Sequence, residues 1–271
     1  MLKSFLNSPK TATFVPYYRN KKTKMKFAII AAGEGSRLTA EGITAPKPLV
    51  KVKGECLIDR LIRIFAQSGA EEIDVICNDL TPLVHDHLLQ IQQSGLNGLD
   101  IPMQLKVKTT PSSMHSFYEL SPLLGDAPFV LTTVDTIFRE DEFAQYVTAF
   151  RHELAAGNDG LMGVTSYIDD EKPLYVSADQ AMRITGFFDD ASDGSQYISG
   201  GIYGLTPPAI ATLHDCVMRG ESRMRNYQRA LVRDGHKLKA YTFSKVLDID
   251  HASDIVKAEE FLTDDQKAGR A

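Results

Sequence analysis

From Lys26 onward, short apolar runs alternate with segments of helical period, and no other feature of this 271-residue chain limits its fold as much. KFAII (26–30) reads as a buried strand. LIDRLIRIFAQSG (57–69) reads as a helix, because Leu57, Leu61, Ile64 and Phe65 recur at helical spacing and Gly69 stands where a C-cap glycine belongs. The alternation continues with EIDVICN (72–78) as strand, TPLVHDHLLQIQQ (81–93) as helix and MQLKVK (103–108) as strand. A helix from about Ser112 to Leu124 follows, then the strand PFVLTTVD (128–135), which ends in an aspartate, and a helix over 140–157 with a glycine stop.

Strands and helices in this order imply right-handed βαβ crossovers and a sheet covered on both sides. The expected fold class is therefore α/β: a doubly wound, mostly parallel, Rossmann-like mixed sheet whose ligands bind at the carboxyl ends of its strands. The second half changes texture. GLMGVTSY, PLYVSAD, MRITGFF and YISGGIYGL are closely spaced β-rich runs, read as hairpins appended to the main sheet. Helices over about 207–219 and 222–234, a strand KLKAYTF and a helix near Ser253–Leu262 complete the chain. No linker marks a second domain, so residues 25–265 are read as one. Residues 1–24 are basic and without periodicity, and Met25 directly precedes the first strand. They are read as a tail outside the fold, disordered or upstream of the true start.

Bulk properties narrow the function. A net charge of −5 argues against a nucleic-acid binder with a broad basic face. No apolar run reaches the roughly 18 residues of a membrane span, and the N-terminal segment lacks the apolar core of a signal peptide. Three scattered cysteines, Cys56, Cys77 and Cys216, suit a reducing compartment, so a cytoplasmic location is expected. They and the histidines show no metal-ligand spacing.

The chemistry concentrates in AAGEGSRLTAEGITAPKPL (31–49), directly after the first strand. Glycines let backbone N–H groups converge on an anion, although two glycines serve a strand-to-helix turn equally well. A P-loop is excluded because no GxxxxGK[ST] run exists, and a dinucleotide fingerprint because Leu38 occupies the third glycine position. The loop instead carries two cations, Arg37 and Lys47, the lysine stiffened by Pro46 and Pro48. Such a loop suits a triphosphate.

The run A-A-G-E-G-S-R-L, a gap, P-K-P-L, a strand ending at glycine and a helix resembles the signature of the nucleotidyltransferases that make sugar nucleotides. The likeness extends through TTPSSMHSFYEL (109–120), LTTVDTIF (131–138), ISGGIYGL (198–205) and LDIDHASDIVKAEEFL (247–262). It implies nucleotide contacts from Ala31, Ala32, Gly33, Gly35, Ser36 and Ser113, with Arg37 and Lys47 as catalytic cations. It implies Mg²⁺ on Asp135 and Asp250, with Asp248 as a second or supporting ligand, and acceptor contacts at Gly200 and Gly201. Read without the resemblance, Asp135 is equally a turn aspartate, Ser112 or Ser113 an ordinary N-cap, and the glycine pair a bulge. Glu171-Lys172-Pro173 lies one hairpin earlier than the family's acceptor-binding Glu-Lys-Pro, so Lys172 is not carried over.

The implied reaction joins an NTP to a sugar-1-phosphate, giving an NDP-sugar and pyrophosphate. Two alternatives stand beside it: a cytidylyltransferase acting on phosphocholine or another phosphoalcohol, and a non-catalytic module that binds nucleotide sugars. The expected partners are thus an NTP and a phosphorylated small molecule, with no nucleic acid and no membrane.

Overall fold

A computed structural model describes residues 24–191 and 195–268. The expected N-terminal tail lies, apart from Lys24, outside the described residues. In chain order the elements are β1 (Lys26–Ala31), α1 (Ser36–Ala40), a two-residue-strand hairpin β2 (Lys51–Val52) and β3 (Glu55–Cys56), α2 (Leu57–Gln67), β4 (Glu72–Cys77), α3 (Pro82–Ser94), β5 (Met103–Val107) and α4 (Ser113–Leu124). There follow β6 (Phe129–Thr133), β7 (Thr136–Ile137), α5 (Glu140–Ala155), β8 (Gly160–Thr165), β9 (Tyr175–Ala178), β10 (Ile184–Phe188) and β11 (Ser195–Leu205). The last elements are α6 (Pro208–Met218), α7 (Met224–Arg233), β12 (Leu238–Phe243), β13 (Leu247–Asp248) and α8 (Ala252–Ala268).

The central strands lie in the order β5-β4-β1-β6-β11-β8-β12. β11 runs antiparallel to both its neighbours, and the other pairs are parallel, so one strand of this central set opposes the rest. The doubly wound reading holds at the level of single side chains. Phe27 and Ile29 of β1 pack with Phe65 of α2, Leu88 of α3 and Phe143 of α5. Ala28 and Ile30, on the other face, pack with Phe117 of α4, Leu213 of α6 and Tyr227 of α7. Burial on both faces is why β1 reads as a continuous apolar run rather than an alternating one.

The β-rich half departs from expectation. Of these runs only β9 and β10 form a hairpin, and it extends the main sheet through β9, which pairs antiparallel with the first half of β11; β8 and the second half of β11 are central strands. All six residues of β8 are buried, which is the pattern of a strand covered on both faces, and closeness in sequence does not distinguish that from a hairpin arm. A second small sheet was not legible either: β7 pairs antiparallel with β13, Thr136 opposite Asp248. Four loops meet at the carboxyl edge of the parallel strands: those after β1, β4, β5 and β6. No described helix is long and apolar enough to cross a membrane.

Candidate active site

The loops at that edge enclose a cavity of about 480 Å³. Ala32, Gly33, Gly35, Ser36, Arg37 and Lys47 line it from the glycine-rich segment, Ser113 from the start of α4, and Asp135 and Asp250 from across the cleft. Ala31 does not reach it, since its side chain is buried as the last residue of β1 and packs in the core. Ser112, whose hydroxyl oxygen accepts the His115 N–H at 3.4 Å, is the helix cap. Ser112 and Ser113 both stand at the cavity wall.

Lys47 sits in the single 3-10 turn Lys47–Leu49, closed by the Leu49 N–H donating to the Pro46 carbonyl at 2.8 Å. Its Nζ bridges two carboxylates, Asp135 and Asp250, the latter at 2.8 Å. Arg37 Nη1 reaches the other oxygen of Asp250 at 2.7 Å. Burial pulls the Lys47 pKa down, but the charges of Asp135 and then Asp250 outweigh it, and the net shift is upward. Burial likewise raises Asp250, and its bonds and proximity to Lys47 and Arg37 reverse that, leaving it below the usual carboxylate range. Gly35 makes the approach of Lys47 possible. Its φ of +66° lies in the left-handed region, and a Cβ there would stand 3.0 Å from Lys47 Cβ.

The β7–β13 pairing explains how residues 115 positions apart in the chain converge. The Ile249 N–H donates to the Asp135 carbonyl at 3.1 Å, and with Ile249 buried, Asp248 and Asp250 both stand on the open side. The loop after β1 is fastened to the same segment. Glu41 accepts the Ala252 N–H at 2.6 Å and meets His251 Nδ1 at 2.6 Å. Asp248 has no cation partner among the described residues. Its carboxyl is pushed well above the ordinary range, first by removal from bulk water and then by the charge of Asp135. The residue is exposed and stands on a cavity wall, where neighbouring side chains displace part of its water.

Magnesium, which the resemblance implies, fits these residues. Asp135 Oδ1 is buried without a hydrogen-bond partner among the described residues, and the donors are all carboxylate oxygens, the ligands of a hard cation. No group of three His, Cys, Asp or Glu side chains among the described residues is gathered to hold a metal alone. Mg²⁺ needs fewer, since it commonly uses one or two carboxylates with substrate phosphates.

A second cavity of about 380 Å³ adjoins the first, and Arg37 and Asp250 line both. Gly200 and Asp248 lie on its wall; Gly201 lines neither cavity. The glycine pair forms a bulge, with the β11–β8 register shifting between Ser199 and Ile202 and Gly201 at φ +68°. Lys172, set aside on grounds of spacing, lines this cavity, and among the described residues its ammonium forms no ion pair. The hairpin's position in the fold, rather than its order in the sequence, brings it there. Around it the wall is acidic: Asp169 and Asp254 pair with Lys257 at 3.0 and 3.3 Å, and Asp170 accepts the Lys172 N–H at 2.8 Å. Sequence reasoning also passed over Asn78, whose only signal is a polar residue closing an apolar strand.

Comparisons with known proteins bear on the family and the fold. Residues 26–265 match the family model for nucleotidyl transferases. Two curated relatives are N-acetylmuramate alpha-1-phosphate uridylyltransferases. That of Neisseria meningitidis serogroup B is 31% identical over 125 residues, 46% of this chain and 53% of that protein. That of Caulobacter vibrioides is 28% identical over 112 residues, 41% of this chain and 46% of that protein. The chain thus spans about half the length of the curated relatives it matches. Among solved structures, a Bacillus anthracis protein assigned as a glucose-1-phosphate thymidylyltransferase superposes with a TM-score of 0.75 at 20% identity, covering 89% of this chain and 96% of that one. The inositol-1-phosphate CTP transferase of T. maritima superposes with a TM-score of 0.70 at 18% identity, covering 90% and 96%. At these identities the superpositions speak for the fold, and the family match spans nearly all of the described chain: it belongs to the nucleotidyl transferase family.

Proposed function

We propose that this chain transfers a nucleoside monophosphate from an NTP to a sugar-1-phosphate, releasing pyrophosphate. One observation carries the reading. Arg37 and Lys47, from opposite ends of the glycine-rich segment, converge on Asp250 at 2.7 and 2.8 Å, on the wall shared by two cavities. Two cations at that boundary suit a triphosphate in the first cavity and an acceptor phosphate in the second. A phosphate monoester carries a charge of about −1.5 to −2 at pH 7, so its oxygen is already a nucleophile and no general base is required. That oxygen bonds to the α-phosphorus in line, the bridge to the β-phosphate breaks, and pyrophosphate leaves with the electron pair.

In this scheme Lys47 neutralises the α-phosphate and Arg37 the departing β- and γ-phosphates, by positioning and charge stabilisation alone. Asp135 with Asp248 would hold Mg²⁺, which when bound supplies positive charge to the phosphates of both substrates. Asp250 keeps the two cations in place until phosphates take them over. Lys172 would meet the acceptor. The names of the curated relatives make UTP the first donor to test and an N-acetylated sugar phosphate the first acceptor.

A second reading, CTP with a phosphoalcohol, is favoured by one feature: Asp169, Asp170, Glu171, Asp248 and Asp254 crowd the acceptor cavity, which suits a cationic or polyhydroxylated head. Pyrophosphate release decides between them. Each of the four NTPs is incubated with Mg²⁺ and pooled sugar-1-phosphates or pooled phosphoalcohols, with Asp135→Ala as the blank. Release confined to the sugar pool supports the main reading, and release confined to the phosphoalcohols replaces it. Release in neither pool, with NTP binding intact, would leave a binding module.

A further inference from the structure

Asn78 follows β4 directly, is 1% exposed and lies behind the glycine-rich loop without lining the cavity. All of its hydrogen-bonding capacity on the structure's side is used. Its Oδ1 accepts the Leu80 N–H at 3.1 Å and the Thr81 hydroxyl at 2.6 Å. Its Nδ2 donates to the Ala32 carbonyl at 3.2 Å and, more weakly, to the Gly33 carbonyl at 3.5 Å. The orientation of the amide is fixed, because a flip would set its NH₂ against the Leu80 N–H and its oxygen against two carbonyls.

In a planar trans peptide the carbonyl and the next N–H point in opposite directions. With the Ala32 and Gly33 carbonyls turned back toward Asn78, the N–H groups of Gly33 and Glu34 are turned away from it, toward the cavity that both residues line. Neither amide donates to an acceptor among the described residues. Two adjacent N–H groups facing one way without partners make an anion-binding concavity.

We propose that Asn78 is the positioning residue of the phosphate loop: it holds two carbonyls from behind so that the Gly33 and Glu34 amides meet the donor's phosphates. The proposal rests on the nucleotide reading above. Its consequence is that affinity for the phosphate part of the donor depends on a buried amide that never touches it.

The variant that separates this role from a merely structural one is Asn78→Asp. It keeps both acceptor bonds, to Leu80 and Thr81, and sets an oxygen against the two carbonyls. Because it also adds a negative charge that repels phosphate, the neutral Asn78→Leu, which lacks the donor, is measured beside it and should show the same selective loss. Calorimetric titration identifies which NTP the wild type binds, and that NTP and its nucleoside are then compared on wild type and variant. The expected result is a loss of about 10- to 100-fold in NTP affinity, the scale of hydrogen bonds to a charged group, with nucleoside affinity unchanged. Equal weakening of both ligands, or none, would overturn the proposal. A wild type that binds no NTP would overturn the nucleotide reading itself, a distinct outcome. A variant that fails to fold leaves the direct measurement on wild type: the Gly33 and Glu34 amide resonances should move downfield with the NTP and stay in place with the nucleoside. Amides that respond alike to both ligands would reject the assignment.

Discussion

The two ends of β1 carry the same charge arrangement, a lysine between two carboxylates, in opposite settings. Beyond its carboxyl end, Lys47 bridges Asp135 and Asp250, open to a cavity and beside a second cation. At its amino end, Lys26 pairs with Glu72 and stands 3.8 Å from Asp74, while its Nζ donates to the Leu123 carbonyl at 2.5 Å and Gln104 donates to Glu72 at 2.8 Å. Asp74 is wholly buried, with both oxygens lacking a hydrogen bond among the described residues. Burial first, and the neighbouring Glu72 next among the raising influences, push its carboxyl up to about 7 against the pull of Lys26. A lysine flanked by acids is therefore no mark of a site by itself. What distinguishes the first is space for a ligand and donors left without partners.

Substitutions at the two ends should separate activity from stability. Lys47→Ala or Asp135→Ala is expected to cut the rate of pyrophosphate release about 100- to 1,000-fold, with little change in the thermal midpoint. Lys26→Met should do the reverse: urea unfolding at pH 8 should show a loss of about 3 kcal/mol, because Asp74 loses its cation, while the rate per folded molecule holds. A drop in that rate would break the comparison by drawing the amino end into the chemistry.

Asp74→Asn tests the same carboxylate with the opposite sign. The folded pKa near 7 lies above the unfolded value of 3.8, so the fold favours the protonated form. The cost of ionisation is absent below about pH 4, grows as pH rises and is complete above about pH 7. The asparagine variant should therefore gain about 4 kcal/mol over wild type at pH 8, with the gap closing toward pH 4. Urea midpoints across that range measure it, and a gap independent of pH would show that Asp74 is not the titrating group. The smallest effect belongs to the acceptor side: Lys172→Ala should raise the acceptor KM about tenfold, the value of one charged contact, and leave the NTP KM unmoved.

What was legible in the chain follows from how each part is encoded. The parallel half could be read because its strands are buried on both faces and its helices carry periodic apolar residues. The glycine-rich wall of the first cavity could be read because Gly33, Gly35, Arg37 and Lys47 lie within fifteen consecutive positions. Asp135 stood out as a polar end to an apolar strand. Asn78 had the same signal after Cys77 but no motif to lend it a role. The second cavity is assembled by tertiary placement. Lys172 comes from the connection before a hairpin, Asp248 from a two-residue strand that exists only because Thr136 lies opposite, and Gly200 from a bulge. Local pattern carries none of these. Strand alternation puts Asp248 and Asp250 on one side and does not tell them apart; the cations that pair with Asp250 come from residues 37 and 47, far away in the chain.

The pairing of β7 with β13 also bears on biosynthesis. The first wall of the cavity is complete once residue 47 has folded, whereas the segment that Arg37 and Lys47 hold arrives with residue 250. A chain emerging from the ribosome therefore carries Arg37 and Lys47 without the carboxylate they pair with until about 200 further residues have been made. The parallel core assembles around a gap that the segment from β13 onward must close.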